Sequence, residues 1–189
     1  MLNRPRTIAT LAASAAIALM SLAFAQPSHA DTPFFGPWVI QNTASKLCVQ
    51  PDPSNTGPDI QLVQESCANA DVYWTFIPLD SNGDYWIQNR GINQSIGTGN
   101  CMRALSNNDL SPVDSIDCTH ISNSTWQLQV APSGGHLEII SKVSGGSRCL
   151  DVRNNSLAPR ATMDIFHCSS TSTTTNTAQT FYVQPSPVS

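Results

Sequence analysis

The chain predicts an all-β fold, a pseudo-threefold barrel of about twelve short strands, and three observations carry that expectation. Its six cysteines fall into pairs of nearly constant span: Cys48 with Cys67, Cys101 with Cys118, and Cys149 with Cys168. Each pair is trailed by an aromatic residue, Trp74, Trp126 and Phe181 in turn. Between them lie short β-branched and aromatic runs broken by Gly, Pro, Asn, Asp and Ser clusters, with no sustained helical period. A pattern recurring at roughly 50-residue intervals is one supersecondary unit built three times.

Each element follows from its residues. Residues 1–30 read as a secretory signal. Arg4 and Arg6 form a positive start, Ile8 to Ala25 is uncharged and Ala/Leu-rich, and Ser28-His29-Ala30 offers a cleavage site, with Ala23-Phe24-Ala25 as a second. The competing reading is an uncleaved anchor. Residues 31–189 make one domain, with repeats at about 36–80, 84–131 and 135–184.

The repeats open on Trp38-Val39-Ile40-Gln41-Asn42, Tyr85-Trp86-Ile87-Gln88-Asn89 and Leu137-Glu138-Ile139-Ile140-Ser141. Strands around the first cysteines follow: Leu47-Cys48-Val49, Cys101 to Leu105, and Cys149 to Val152. Ile60–Val63, Val113–Ile116 and Met163–Phe166 lead to the second cysteines. Trp74–Ile77, Trp126–Val130 and Phe181–Val183 close the units, with Trp74, Trp126 and Phe181 as core and Trp38 and Trp86 read as core beside them. Asn82-Gly83, Gly134-Gly135 and Gly145-Gly146 supply hairpin turns. Pro51–Pro58, Ser169–Thr177 and the Pro185-Ser186-Pro187 tail read as loops.

An exported chain with an even cysteine count reads as disulfide-bonded. Six cysteines allow 15 pairings; the repetition favours the within-repeat set, each closing a loop that contributes about 3 kcal/mol. No Cys-x-x-Cys spacing occurs and His120, His136 and His167 are scattered, so no metal is expected. Without the signal, seven basic residues face thirteen acidic ones. With no basic stripe, nucleic acid and anionic membranes are disfavoured partners, and no membrane insertion is expected. No Gly-x-Ser-x-Gly, metal motif or paired catalytic carboxylates appear, so neither an enzyme nor a cofactor is expected.

Arg148-Cys149-Leu150-Asp151-Val152, a later cysteine and Gln179-Thr180-Phe181 resemble the repeat of ricin B-type lectins, whose signature is Cys-Leu-Asp-Val, a cysteine and Gln-x-Trp. Cys48-Val49-Gln50 with Val72-Tyr73-Trp74, and Cys101-Met102-Arg103 with Ser124-Thr125-Trp126, resemble it less closely. The resemblance covers about Trp38 to Val183 and implies a β-trefoil, three lobes around a barrel. It implies sugar binding of galactose or N-acetylgalactosamine type. In such a site a carboxylate accepts from two sugar hydroxyls, an aromatic ring stacks on the C–H face, and an amide completes the polar set.

Carried over residue by residue, only the third repeat keeps such a set. Asp151 matches the carboxylate, Phe166 the stacking ring and Gln179 the closing amide, with Asp164 as a supporting polar group. Ala178 stands where the family has its binding Asn, leaving Asn176 as a substitute. The corresponding residues are Gln50 and Glu65 in the first repeat and Arg103 and Ile116 in the second, so both of those sites read as lost. Bland roles compete with these: Asp151 as a turn cap or ion-pair partner, and Phe166 as core. The expectation is a secreted lectin; the alternative is a delivery subunit of a secreted complex, as in toxins of the cytolethal distending type, with another secreted protein as partner.

Overall fold

The computed structural model describes residues 36–57, 59–69, 72–89, 100–118, 123–132, 134–169 and 176–185. All belong to the compact unit Pro33–Ser189. The signal segment predicted over 1–30 and most of the Ser169–Thr177 insertion lie outside the described residues.

Twelve strands run in the predicted order. They are β1 (Trp38–Asn42), β2 (Cys48–Pro51), β3 (Ile60–Glu65), β4 (Tyr73–Pro78), β5 (Asp84–Asn89) and β6 (Asn100–Ala104). Then come β7 (Ser111–Asp117), β8 (Thr125–Val130), β9 (Leu137–Ser141), β10 (Arg148–Val152), β11 (Met163–His167) and β12 (Phe181–Pro185). Short 3₁₀ turns lie at Lys142–Ser144, Arg153–Asn155 and Thr177–Gln179. The last turn begins at Thr177, where the segment read as loop ends. Asn176 starts it by accepting from the Ala178 amide with its side-chain oxygen, the usual capping chemistry of Asn.

The strand count stands, but the β-trefoil layout of three four-stranded lobes is corrected. All twelve strands pair into one antiparallel sheet. Ten of them close on themselves in the order β10, β11, β7, β3, β2, β1, β4, β5, β8, β9 and back to β10. The other two, β6 and β12, lie outside that ring, β6 joining β5 to β7 and β12 joining β1 to β9. Pairing therefore runs across the repeat borders, β3 and β11 both meeting β7, β4 meeting β5 and β8 meeting β9. The physical reason is that four strands of this length leave two unpaired edges and too little buried face to stand alone. Closing them with strands of the next repeat satisfies the edges.

The three disulfides are the within-repeat set, Cys48–Cys67, Cys101–Cys118 and Cys149–Cys168, with Cα separations of 5.0, 4.9 and 4.9 Å. Each ties the strand of its first cysteine to the end of the next, β2 to β3, β6 to β7 and β10 to β11. Inside lies one core of Ile40, Leu62, Trp74, Phe76, Ile87, Met102, Trp126, Ile139, Leu150, Met163, Ile165 and Phe181. The Trp74 indole donates to the Val49 carbonyl and the Trp126 indole to that of Met102, both at 2.8 Å. Phe181 takes the third such place without a donor. Gln61 reaches one strand of every repeat, its amide donating to the carbonyls of Leu62 (3.2 Å), Val113 (2.7 Å) and Met163 (3.0 Å).

Trp86 departs from the expectation. Trp38 packs against the core, but its counterpart is Tyr85, because both stand four residues before the Asn of Gln41-Asn42 or Gln88-Asn89. Trp86 is one position further on, so the pleat turns it to the other face, where it is only half-buried.

Candidate functional site

The β10–β11 pair builds the candidate site. Its register sets Asp151 opposite Asp164, Leu150 opposite Ile165 and Cys149 opposite Phe166. Alternation sends Ile165 into the core, fully buried, and turns Phe166 outward at 38% exposure. Phe166 is thus a surface ring and not core. Asp151, Phe166, Asn176, Leu110, Asn154 and Asn155 line one cavity of about 210 Å³.

The five sugar-binding residues expected from the sequence divide into two groups. Asp151, Phe166 and Asn176 reach the cavity, and the Asn176 amide lies 3.4 Å from an Asp151 oxygen. Asn176 therefore stands by the carboxylate where Ala178, itself buried, has no polar group to offer. Asp164 and Gln179 are fully buried behind the cavity wall. The Arg153 guanidinium donates to Asp164 at 2.9 Å. The Gln179 amide donates to the His167 carbonyl at 2.9 Å and accepts from the Ser169 amide at 2.8 Å. Gln179 thus fastens the end of β11 to the turn that carries Asn176.

That turn is also held from the first repeat. Asn42, buried at the end of β1, donates its amide to the Thr177 carbonyl at 2.9 Å. Ser169 adds a second anchor, its hydroxyl donating to the buried Glu138 at 2.6 Å. The site's amide is therefore placed by bonds from β1, β9 and β11, which limits its freedom before any ligand arrives.

Burial is the main force on the two carboxyls. It pushes Asp151 up to about 7, with the facing Asp164 adding to the rise and the amides of Gln179 and Asn176 opposing it. Burial likewise raises Asp164, against the pull of Arg153. Two facing carboxyls can share less negative charge than two separate ones, and Arg153 draws the ionised form toward Asp164.

The other repeats show what became of their equivalents. In the second, Arg103 faces Asp114 across β6–β7 and its guanidinium closes on that carboxylate. In the first, Gln50 is buried and accepts from the Asn69 amide at 3.3 Å. Both positions are thus occupied by the protein's own polar pairs.

The sequence reading missed Leu110, Asn154 and Asn155. The asparagines adopt left-handed backbone, φ 59° and 53°, a conformation that Asn tolerates. The signal that could have found them is the Asn154-Asn155-Ser156 run straight after Val152, a cluster of residues that favour turns. Leu110 belongs to the second repeat, and no local signal links it to the third.

No family model matches the chain, and no curated protein does. Solved structures do. A designed threefold-symmetric protein, ThreeFoil, is 17% identical, with 78% of this chain and 96% of that one covered at a TM-score of 0.64. The Haemophilus ducreyi cytolethal distending toxin is 17% identical, with 79% and 83% covered at 0.58. A Macrolepiota procera ricin B-like lectin, solved with lactose, is 12% identical, with 80% and 96% covered at 0.58. Further matches are longer chains, of which this one spans between 17% and 49%. At such identities the likeness is one of fold: this chain is similar in backbone to ricin B-like lectins and to cytolethal distending toxin chains.

Proposed function

We propose that the chain is a non-catalytic carbohydrate-binding module, exported after cleavage near Ala30, with one working site in the third repeat. The observation that carries this reading is the convergence of Asp151, Phe166 and Asn176 on one cavity. A carboxylate there accepts from paired sugar hydroxyls, the outward ring covers a pyranose C–H face, and the Asn176 amide donates beside them. The ligand class is a galactose or N-acetylgalactosamine type sugar. Three disulfides fit an extracellular protein.

Calorimetry with galactose, N-acetylgalactosamine and lactose tests the site. A single shallow site predicts weak affinity that a polyvalent glycan surface strengthens. Loss of binding in Asp151→Ala supports the reading; equal binding by that variant removes Asp151 from it, and no binding by the wild type to any glycan sinks it.

A second reading, a delivery subunit of a secreted complex, draws on the self-occupied polar pairs of the other two repeats and the backbone likeness to toxin chains. It requires a partner chain that co-elutes with the native secreted protein.

A further inference from the structure

Three loop positions correspond from repeat to repeat. Asp59, Leu110 and Arg160 each stand three residues before a fully buried strand residue, Leu62, Val113 and Met163 respectively. At two of them the backbone reaches another repeat through the same bond: the Leu110 amide donates to the Ile165 carbonyl and the Arg160 amide to that of Gln64, both at 2.8 Å. These two residues also share a left-handed backbone, φ 62° and 66°. Each loop tip therefore overhangs the strand pair where the neighbouring repeat has, or had, its polar site.

What the tip carries differs. Arg160 closes on Asp52 and Ser54 at 2.9 and 2.6 Å. Asp59 lies 3.6 Å from Arg103, beside the Arg103–Asp114 pair. Leu110 is the apolar member of the three, and it is the one over the open cavity, 52% exposed, on the same wall set as Asp151 and Phe166. Its backbone is clamped there. The Arg153 guanidinium, which holds Asp164, also donates to the Leu110 carbonyl at 2.9 Å. The adjacent Asp109 is bound by Arg148 at 2.9 Å and His167 at 2.6 Å. A branched L-residue at this φ is strained, and a half-exposed leucine gains little by burial, so packing does not account for it.

We propose that Leu110 is a specificity-determining wall of the third-repeat cavity, selecting a saccharide with a methyl-bearing substituent, acetamido or deoxy, at the position facing it. The inference rests on the carbohydrate-binding reading above. A hydroxyl pressed against Leu110 loses water without gaining a partner, whereas a methyl group there buries apolar surface on both sides. The carboxylate and ring then fix the sugar, and Leu110 discriminates among sugars so fixed.

Calorimetry on the whole chain decides it, with galactose, N-acetylgalactosamine and 6-deoxygalactose as ligands and wild type, Leu110→Gly and Leu110→Met as proteins. The wild type is expected to bind one methyl-bearing sugar about tenfold more tightly than galactose; which one tells acetamido from deoxy. Leu110→Gly brings the ratio near one while its Tm holds or rises, since glycine adopts this φ freely. Leu110→Met, close in volume, restores the preference. A ratio near one in the wild type, or an undiminished ratio in Leu110→Gly, overturns the role of Leu110 and leaves the lectin reading intact. Absence of any sugar binding by the wild type removes both.

Discussion

Arg103 and Asp114 face one another across β6–β7 at the register that Asp151 and Asp164 occupy across β10–β11. One exchange, a guanidinium for a carboxylate, separates a closed ion pair from a pair of buried carboxyls beside a cavity. The first arrangement satisfies itself; the second stays electrostatically unsettled and open to an outside partner. Strain of this kind at a cavity, absent from the equivalent position, is the pattern expected of a binding site.

Removing the guanidinium should therefore be costly. Arg103→Ala leaves Asp114 buried without its counter-charge, and a loss of about 2 kcal/mol is expected, lowered from the fully buried case because Arg103 is partly solvated. Urea denaturation measures it. Glycan binding at the third repeat should stay unchanged in the same protein.

Asp151 should behave in the opposite way. Its carboxyl titrates near 7 in the fold and near its ordinary 3.9 when unfolded. Between those values the fold holds a proton that the unfolded chain has released, so stability falls as pH rises from about 4 to 7 and levels off above. Asp151→Asn flattens that slope and gains about 2 kcal/mol over wild type at pH 8, after allowance for solvent at the cavity. Denaturation midpoints across this pH range give the answer; a wild type that grows more stable from pH 5 to 7 by this group would contradict it.

Sugar binding should run against stability. The hydroxyl-accepting form of Asp151 is the ionised one, so affinity is expected to rise about tenfold from pH 6 to pH 8 as the carboxyl passes its midpoint near 7. Titration calorimetry in buffers of differing ionisation heat would also register proton release on binding. An affinity flat over this range would place the ligand's hydroxyls elsewhere.

The core aromatics allow a comparison within one molecule. Trp126→Phe copies what Phe181 does naturally, losing the indole bond to Met102 and some volume, with a cost of about 1–2 kcal/mol. Trp126→Ala leaves a large void and should cost about 3–5 kcal/mol. Thermal unfolding of both variants, with the disulfides intact, separates the hydrogen bond from the packing.

Much of this protein was legible along the chain. The cysteine pairing, the twelve strands and the three buried aromatics follow from local patterns repeated three times, and repetition makes a local signal hard to misread. Asp151 and Phe166 were legible through the resemblance to the ricin B-type repeat, which places each at a set offset from a cysteine. Trp86 was misread because one step along a strand reverses its face, and only counting from Gln88-Asn89 reveals the register. Which residues share an edge was not legible. The closure of β3 and β11 on β7 joins segments far apart in sequence, and edge satisfaction, not any motif, dictates it.

The sequence by itself determined the repeat, its staples and the strand pair that carries Asp151 and Phe166. The tertiary structure alone decided what surrounds that pair. Asp164 and Gln179 were drawn inside, Asn42 came across from the first repeat to hold the turn of Asn176, and Leu110 arrived from the second. Such contacts come from chain closure, and closure leaves no period for a sequence to display.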